Sequence, residues 1–466
     1  MQLTSGHYWA IFLTLGLVLL VGASAVRKVK GSKDFTMGGN QIGTAGVIGI
    51  LLGTILGGAS TIGTSQLAFS KGISAVWFSL GCSVGLIGIA ILSPRLCKIP
   101  RVNTIPQILC RRYGKMIRPI IGITAILGIF FSIVASNLSM IDILATLLKI
   151  ELSTAYFVLF LFIIFYVLFG GILGASWIGL IKTILLYIVL IWVGFIALEG
   201  LVGEKNLLQT LPANPTYNVF VNGFFTDIAT FFSVIVGVMS TQTYFQVCYS
   251  TKDMKKVRQG YLWAAALVVP ISIPCISVGL FMKSVHPEIL PVQALPYFLI
   301  EYLPTWIGGI GIAALVLSGL GTASGLILGL TTIISQDFVD YFIPTMKDKK
   351  KLYISRSFIV VTAGVSVLFS AMHYGSQILS WNYLSLGLRG AGIFLPLLAA
   401  LYFPRKISPI WGVISTLAGT MTMFSLQLFT NQGINSLWYG LVLSGLCLVI
   451  GFVKQKTRNQ RGINAS

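Results

Sequence analysis

The sequence predicts an all-α membrane protein, and three observations support that prediction. Of the 466 residues, 56% are hydrophobic and only 9% are charged. The mean hydropathy is +0.89, whereas a soluble domain has roughly a quarter of its residues charged to cover its surface. The apolar runs are continuous over about 20 residues, the length of a membrane-spanning helix, and they do not alternate as barrel strands would.

Thirteen apolar runs are long enough to cross a bilayer as helices. The first run has no basic segment before it and is followed at once by four basic residues between 27 and 33, so we predict a retained helix and not a cleaved signal. In chain order, the runs cover residues 8–26, 43–70, 75–94, 118–147, 153–170, 174–200, 219–247, 260–282, 305–334, 356–375, 380–403, 409–429 and 435–453.

The basic residues predict how the chain threads the membrane, because cytoplasmic loops are rich in Lys and Arg. With the N-terminus outside and the C-terminus inside, cytoplasmic loops hold 26 of the 32 basic residues. Only Lys71, Lys149, Lys205 and Lys283 then lie outside. We therefore predict this orientation in the plasma (inner) membrane, with a basic face that attracts anionic lipid headgroups and no nucleic-acid partner.

Cysteine and histidine chemistry is not expected. The six cysteines have no Cys-x-x-Cys spacing, and the three histidines lie far apart at the ends of apolar runs. Neither a disulfide framework nor a zinc site is indicated. Since no nucleophile or metal constellation is visible either, the sequence does not predict an enzyme.

Two of the runs are interrupted near their middles by small and polar residues. Run 43–70 contains GGASTIGT at 57–64, and run 219–247 contains GVMSTQ at 237–242. Glycine clusters also serve close helix packing, so either one alone is ambiguous. At matching places in two halves, however, interrupted helices are typical of transporters built from inverted repeats, whose unwound backbone binds solute and ion.

Counting the runs supports such a repeat. Five runs lie in 43–200 and five in 219–403, and each group begins with its interrupted member. An odd number of crossings per group gives the two groups opposite topology. We therefore predict a leading helix and basic loop in 1–42, a first inverted repeat in 43–200, an external loop and second repeat in 201–403, and two trailing helices with a basic tail in 404–466.

Four stretches, taken in order, resemble the sodium:solute symporter family. They are GGASTIGTSQLAFSKGISAVWFSLG (57–81), GGILGASW (170–177), QTYFQVCYSTKDMKKVRQG (242–260) and LSGLGTASGLILGLTTIISQD (317–337). The resemblance covers about residues 1–455 and implies the leucine-transporter type of fold, with ten core helices in two inverted repeats. It also implies cation-coupled uptake of a small polar organic solute by alternating access.

The resemblance further implies a sodium site made of uncharged oxygens. Matched by motif, its ligands are the carbonyls of Ala59 and Ile62, the carbonyl of Ser318 and the hydroxyls of positions 321 and 322. Thr322 supplies one hydroxyl, but Gly321 stands where the family usually has serine. Sodium is therefore the implied coupling ion, with a proton as the alternative.

The fifth core helix contains a second departure. Where the family often reads Trp-Thr-Asp-Val-Ile-Gln, residues 177–182 read WIGLIK, so an acid is missing and Lys182 follows one turn later. In amino-acid/polyamine transporters of the same fold, a lysine in this helix can occupy the sodium site. We hypothesise that Lys182 replaces sodium, contacting the carbonyls of Ala59 and Ile62 and the hydroxyl of Thr322. The alternative is a lysine that lines an aqueous vestibule without a coupling role.

Candidate solute contacts lie at the two interruptions and in the third and tenth core helices. Arg389 is a second intramembrane cation, expected either to bind a solute carboxylate or to act as an outer gate near Asp142 or Asp227. The uncharged candidates are also consistent with interhelical packing. They are Ser60, Thr61, Asn137, Ser240 and Gln242.

Two other classes of membrane protein compete with a transporter. Transporter-like domains also serve as membrane sensors, although the basic tail at 454–461 is followed by no recognisable output domain. A channel is compatible with the composition, but the two interrupted helices favour an occluded site over an open pore. The identity of the solute is not readable from the residues.

Overall fold

The computed structural model describes residues 3–26, 43–96, 99, 102–203, 207–249, 253–343, 345–346, 348–404, 406–430 and 433–464. Within these ranges the chain is helical and contains no strand, which confirms the all-α prediction. The principal helices are α1 (Ser5–Val26), α2 (Thr44–Ile55), α3 (Thr64–Lys71), α4 (Val76–Leu96), α5 (Ile105–Tyr113), α6 (Ile117–Leu148), α7 (Leu152–Val202), α8 (Phe224–Val238), α9 (Gln242–Gln246), α10 (Met254–Val285), α11 (Ala294–Glu301), α12 (Thr305–Ile333), α13 (Asp348–Met372), α14 (Ile378–Arg389), α15 (Leu395–Tyr402), α16 (Pro409–Phe429) and α17 (Ser436–Asn464).

Shorter helical segments connect or extend these helices. Three of them, Ala59–Gly63, Ile334–Val339 and Gly390–Phe394, have π-helical hydrogen bonding. The others are single turns at Gly72–Ala75, Leu207–Thr210, Ala213–Thr216, Val247–Tyr249, Pro291–Gln293, Asp340–Phe342 and Gly433–Asn435.

The lengths of the helices match a membrane protein. Among the described residues, nine helical stretches are long and apolar enough to cross a membrane, and a tenth results if the bent pair α8 and α9 is one span. Three shorter apolar helices cover Ser5–Val18, Thr44–Ile55 and Leu152–Val167. Predicted runs 153–170 and 174–200 lie in one continuous helix, α7, of 51 residues. At 1.5 Å per residue α7 is about 77 Å long, more than twice the apolar thickness of a bilayer, so it is too long for one crossing.

Helix α12 forms the centre of the bundle. In its apolar window, 89% of the residues are buried, against 28% for α13, which lies at the periphery. Helix α12 packs against α1, α2, α6 and α7, and α10 packs against α3, α4 and α7. A helix that is apolar on all sides and buried on all sides belongs to the core, whereas the exposed apolar faces of peripheral helices suit lipid.

The first predicted interruption is confirmed. Helix α2 ends at Ile55, and regular helix resumes only after the segment Ala59–Gly63. A Cβ on Gly57 would collide with the side chain of Thr322 in α12, and one on Gly58 would collide with Ser139 in α6. Only glycine allows the interrupted backbone to approach both helices so closely.

The second predicted interruption is also confirmed. Helix α8 ends at Val238, helix α9 begins at Gln242, and the two are bent by 40°. Thr241 between them is extended, with φ −90° and ψ 121°. Helix α14 packs against α8 and against the segment Ala59–Gly63, so both interruptions border the same helix.

Candidate functional site

A small cavity lies between the two interrupted helices. Its volume is about 20 Å³, roughly the space that one water molecule needs. The first interruption contributes Gly57 and Ala59, the second contributes Tyr244, and α12 and α14 contribute Thr322 and Arg389. Of the residues predicted from the sequence, Ala59, Thr322 and Arg389 therefore meet at this cavity.

The side chain of Lys182 is fully buried. Its Nζ donates hydrogen bonds to the carbonyl of Gly53 at 2.5 Å and to the carbonyl of Ser318 at 3.1 Å. The Ser318 carbonyl is one of the oxygens that the family resemblance assigns to sodium. Within the described part of the chain, Lys182 forms no ion pair, so a single positive charge is held by uncharged oxygens.

The other contacts predicted for Lys182 differ in the structure. The carbonyls of Ala59 and Ile62 accept no hydrogen bond from it. Instead, the Ala59 carbonyl accepts the hydroxyl of Thr64 at 3.3 Å. The buried hydroxyl of Thr322 has no hydrogen-bond partner among the described residues. The ammonium therefore bonds to the helix that precedes the first interruption, not to the interruption itself.

The close approach of α7 to α2 explains this position. A Cβ on Gly179 would collide with the carbonyl of Gly49, so the two helix backbones are nearly in contact. Lys182 follows Gly179 by three residues and Gly53 follows Gly49 by four, which places both on the contacting faces. The side chain thus meets the Gly53 carbonyl first.

Position 321 lies directly at the ammonium. A Cβ built on Gly321 would stand 2.9 Å from Lys182 Nζ, closer than Cβ atoms approach neighbouring atoms. The serine that the family usually has here would compete with the ammonium for the same space. Lys182 Nζ, bonded to the Ser318 carbonyl, therefore fills the space that a side chain at 321 would occupy.

The guanidinium of Arg389 is held at the cavity by uncharged groups. The side chain is 1% exposed. Nε donates to the Ser385 carbonyl at 3.1 Å and Nη1 to Thr241 Oγ1 at 2.8 Å. Nη2 donates to Ser132 Oγ at 3.0 Å and to Ser385 Oγ at 2.8 Å. Arg389 therefore connects α14 to α6 and to the second interruption.

Neither acid proposed as a partner of Arg389 reaches it. Asp142 accepts a hydrogen bond from Tyr374 at 2.5 Å. Asp227 accepts two from Asn222, at 2.9 and 2.7 Å. Arg389 is bonded to Thr241 at the second interruption, so the predicted contact with these two acids is wrong.

Ser60 and Thr61 stabilise the first interruption from within. Both hydroxyls donate to the carbonyl of Gly57, at 3.0 and 2.9 Å. That carbonyl also accepts the backbone N–H of Thr61. These side chains provide hydrogen bonds to a backbone carbonyl at the interruption, and they do not border the cavity in this conformation.

The remaining uncharged candidates are buried outside the cavity lining. Asn137 donates from Nδ2 to Ser366 Oγ at 3.1 Å, which links α6 to α13. The hydroxyl of Ser240 is buried without a hydrogen-bond partner. In this conformation, these residues are packing and interhelical groups.

Gln242 and an ion pair close one end of the bundle. The amide of Gln242 donates to the Asn103 carbonyl at 3.0 Å and accepts the N–H of Ile105 at 2.9 Å. Nearby, Arg118 Nε donates to Asp337 at 2.8 Å, and Asp337 is completely buried. This network joins four elements: the second interrupted helix, the start of α5 with the residues before it, the start of α6, and the segment that follows α12. We call it the closed end.

The opposite end contains a larger pocket of about 220 Å³, bordered by Lys71, Asn222 and Tyr383. The ring of Tyr383 packs 6.1 Å from that of Phe78. Phe78 borders the small cavity and Tyr383 borders the large pocket. This aromatic pair therefore lies between the two spaces.

Sequence reasoning missed the neutral groups around both cations. Ser385 could have been found, because it precedes Arg389 by four residues on the same helical face. Ser132 and Thr241 carry a weaker signal, as polar residues within apolar helices. The carbonyl of Gly53 has no signal in the sequence, since every residue has one.

Comparisons with known proteins agree with this architecture. The family model described as "Sodium:solute symporter family" matches residues 35–414. The high-affinity proline transporter PutP of Bacillus subtilis is 23% identical, covering 91% of this chain and 92% of the relative. The sodium/sialic acid symporter NanT of Aliivibrio fischeri is 23% identical, covering 96% and 92%.

A solved structure shares the fold. The substrate-bound outward-open state of a Na⁺-coupled sialic acid symporter superposes with a TM-score of 0.80 at 18% identity, covering 97% of this chain and 98% of that one. The model match spans most of the chain, and the helices are those of a multi-pass membrane protein. The chain belongs to the sodium:solute symporter family: it is an integral plasma-membrane transporter that couples uptake of a small-molecule solute to a cation, and not an enzyme.

Proposed function

We propose that this transporter imports a small polar organic solute with the Lys182 ammonium in place of sodium, so that a proton is the coupling ion. One observation carries the proposal: Lys182 Nζ is bonded to the Ser318 carbonyl at 3.1 Å, an oxygen that the family resemblance assigns to the ion. Gly321, which lacks the usual hydroxyl, leaves the space that Nζ fills.

The contacts of Lys182 suggest how a proton would drive the transport cycle. The protonated side chain ties α2, through Gly53, to α12, through Ser318. Loss of the proton removes the charge that strengthens both hydrogen bonds. Helices α2 and α12 are then free to separate. Reprotonation restores the link, as binding and release of an ion would.

Alternating access requires that the solute site be reached from one side of the membrane at a time. With the N-terminus outside, the pocket at Asn222 and Tyr383 opens outward and the Arg118–Asp337 network closes the cytoplasmic end. The solute would bind between the interrupted helices of the repeats 43–200 and 201–403. Relatives named for proline and sialic acid support a small polar organic molecule as the solute.

Sodium coupling is the second candidate. The likeness to a Na⁺-coupled symporter favours it, and so does one local observation: the buried hydroxyl of Thr322 has no hydrogen-bond partner. A sodium ion bound by Ala59, Ile62, Ser318 and Thr322 would require Lys182 to leave the Ser318 carbonyl. The two candidates therefore make opposite predictions for the loss of Lys182.

Uptake into proteoliposomes separates them. Radiolabelled amino acids, carboxylates and sugars are offered with a sodium gradient or a proton gradient imposed alone. We expect uptake with the proton gradient only, and its loss in Lys182→Ala. Lys256→Ala, at a half-exposed lysine, is the control and should transport normally. Proton-driven uptake that survives Lys182→Ala, or a strict need for sodium, would overturn the proposal.

A further inference from the structure

Arg389 carries a positive charge in the membrane interior, and no carboxylate of the described residues pairs with it. Among the described residues, its hydrogen bonds go to hydroxyls and to one carbonyl. None of the ion pairs within the described ranges includes it. A buried, unpaired charge is costly, and in membrane proteins it usually faces a cavity through which a ligand or ion passes.

The guanidinium also keeps a donor free. Arginine has five N–H groups, and the four hydrogen bonds of Arg389 use Nε once, Nη2 twice and Nη1 once. One N–H of Nη1 therefore remains at a side chain that borders the small cavity. Thr322 borders the same cavity with a buried hydroxyl that has no partner. The Arg389 guanidinium and the Thr322 hydroxyl, both on residues that line the cavity, can therefore form further hydrogen bonds to a ligand.

We infer that the transported solute carries a carboxylate, and that this group binds Arg389 at the cavity between the two interrupted helices. The inference rests on the proposed function in one respect, that this cavity receives the solute. A carboxylate supplies the missing negative charge and accepts two hydrogen bonds from the planar guanidinium. The present cavity holds only about one water molecule, so the solute enters as the helices around it separate.

The present partners of Arg389 connect solute binding to that movement. Nη1 is bonded to Thr241 at the second interruption and Nη2 to Ser132 in α6. A carboxylate that binds both nitrogens must replace or share these bonds. The solute thereby loosens the link between α14, α6 and the second interruption, three of the elements that line the cavity.

The test is equilibrium binding to the purified full-length chain in lipid nanodiscs, with no ion gradient. The probes are acids, each with a counterpart whose carboxyl group is masked and uncharged, called its neutral counterpart: L-proline with L-prolinamide (which keeps the ammonium of proline), N-acetylneuraminic acid with its methyl ester, and pyruvate with its methyl ester. Glucose and potassium chloride alone complete the panel. We expect at least one acid to bind, with its neutral counterpart about tenfold weaker or worse. That ratio is what loss of one charge-assisted contact gives.

Variants locate the effect at Arg389. In Arg389→Gln, the acid and its neutral counterpart should bind equally weakly, while Arg389→Lys should keep part of the preference. The ligand pairs already test the wild-type chain, so the inference remains falsifiable if Arg389→Gln does not fold. Four outcomes overturn it: neutral counterparts that bind as well as the acids, an acid preference that persists in Arg389→Gln, stabilisation by chloride alone, or no binding of any acid.

The result is independent of the coupling ion. Proton-driven uptake of a neutral solute would leave the role of Lys182 standing and overturn the role of Arg389. Sodium-driven uptake of an acid, with the preference for acids abolished in Arg389→Gln, would support the role of Arg389 and overturn that of Lys182.

Discussion

Lys182 and Gly321 occupy complementary space: Nζ of the lysine lies 2.9 Å from where a Cβ at position 321 would stand. The family pattern has a hydroxyl at 321 and no lysine at 182, and this chain differs at both positions. Since a side chain at 321 would require Lys182 Nζ to move, the two differences are structurally coupled. A hydroxyl introduced at 321 while Lys182 is retained should damage the site. A hydroxyl at 321 combined with loss of the lysine should restore the set of uncharged oxygens that the family resemblance assigns to sodium.

Gly321→Ser should lower proton-driven uptake, because the added Cβ and hydroxyl push against Nζ. Overpacking of this kind costs about 1–3 kcal/mol. In Lys182→Ala/Gly321→Ser, the ammonium is gone and a second hydroxyl joins Thr322, so we expect uptake or thermal stability to respond to sodium. Both are measured in proteoliposomes against a sodium-free potassium buffer. Wild-type rates in Gly321→Ser would contradict the proposed competition.

Asp337→Asn should destabilise the closed end. In the wild type, Asp337 Oδ1 pairs with Arg118 at 2.8 Å and accepts a hydrogen bond from Thr104 Oγ1 at 3.0 Å. The substitution removes the negative charge of that carboxylate. Breaking a buried pair from one side costs up to about 3–5 kcal/mol, because the remaining charge has no partner. The melting temperature of the purified protein should therefore fall.

The double variant Arg118→Gln/Asp337→Asn leaves no unpaired charge and should lose less stability than Asp337→Asn alone. The control is Asp253→Asn, whose pair with Lys256 spans 3.8 Å and is half exposed. Exposed pairs contribute roughly 0–1 kcal/mol, so its melting temperature should hardly change. Equal effects at 253 and 337 would show that the buried pair does not hold this end.

The interruptions were predictable because the two clusters of small and polar residues stand at matching places in the two groups of runs, whereas either cluster alone is also consistent with close helix packing. The presence of Lys182 and Arg389 inside the bundle was predictable as well, since lipid excludes both charges. Their partners were not, because they are carbonyls and hydroxyls from distant segments: Gly53 is 129 residues from Lys182. Only the packing of α7 on α2 selects that carbonyl over those of Ala59 and Ile62.

Gly58→Ala should abolish uptake and lower stability. A Cβ there would collide with the side chain of Ser139, and the interrupted backbone cannot retreat without breaking its contacts to α6. Ser139→Gly in the same chain removes the obstructing atoms and should restore part of the lost stability. Gly16→Ala is the control, since a Cβ at Gly16 meets nothing within 4 Å and alanine favours a helix. A normal melting temperature in Gly58→Ala would contradict the close contact.

Phe78→Ala should open the small cavity to the larger pocket. The Phe78 ring borders the cavity and packs against Tyr383, which borders the pocket. Cys82 provides a native reporter, because its buried thiol borders the same cavity. We expect a small water-soluble thiol reagent to label Cys82 slowly in the wild type and at least about tenfold faster in Phe78→Ala, as read by mass spectrometry of its peptide. A tenfold change in rate corresponds to about 1.4 kcal/mol in the barrier to labelling. Removal of a buried Phe side chain changes packing energies by more than that.

Tyr383→Phe separates the ring from its hydroxyl. The hydroxyl is buried and has no hydrogen-bond partner in the described part of the chain, so its removal breaks no hydrogen bond there and relieves an unsatisfied group. The ring that closes the passage stays in place, and labelling of Cys82 should remain as slow as in the wild type. Fast labelling in Tyr383→Phe, or unchanged labelling in Phe78→Ala, would show that the reagent enters by another route and that the aromatic pair is not the barrier.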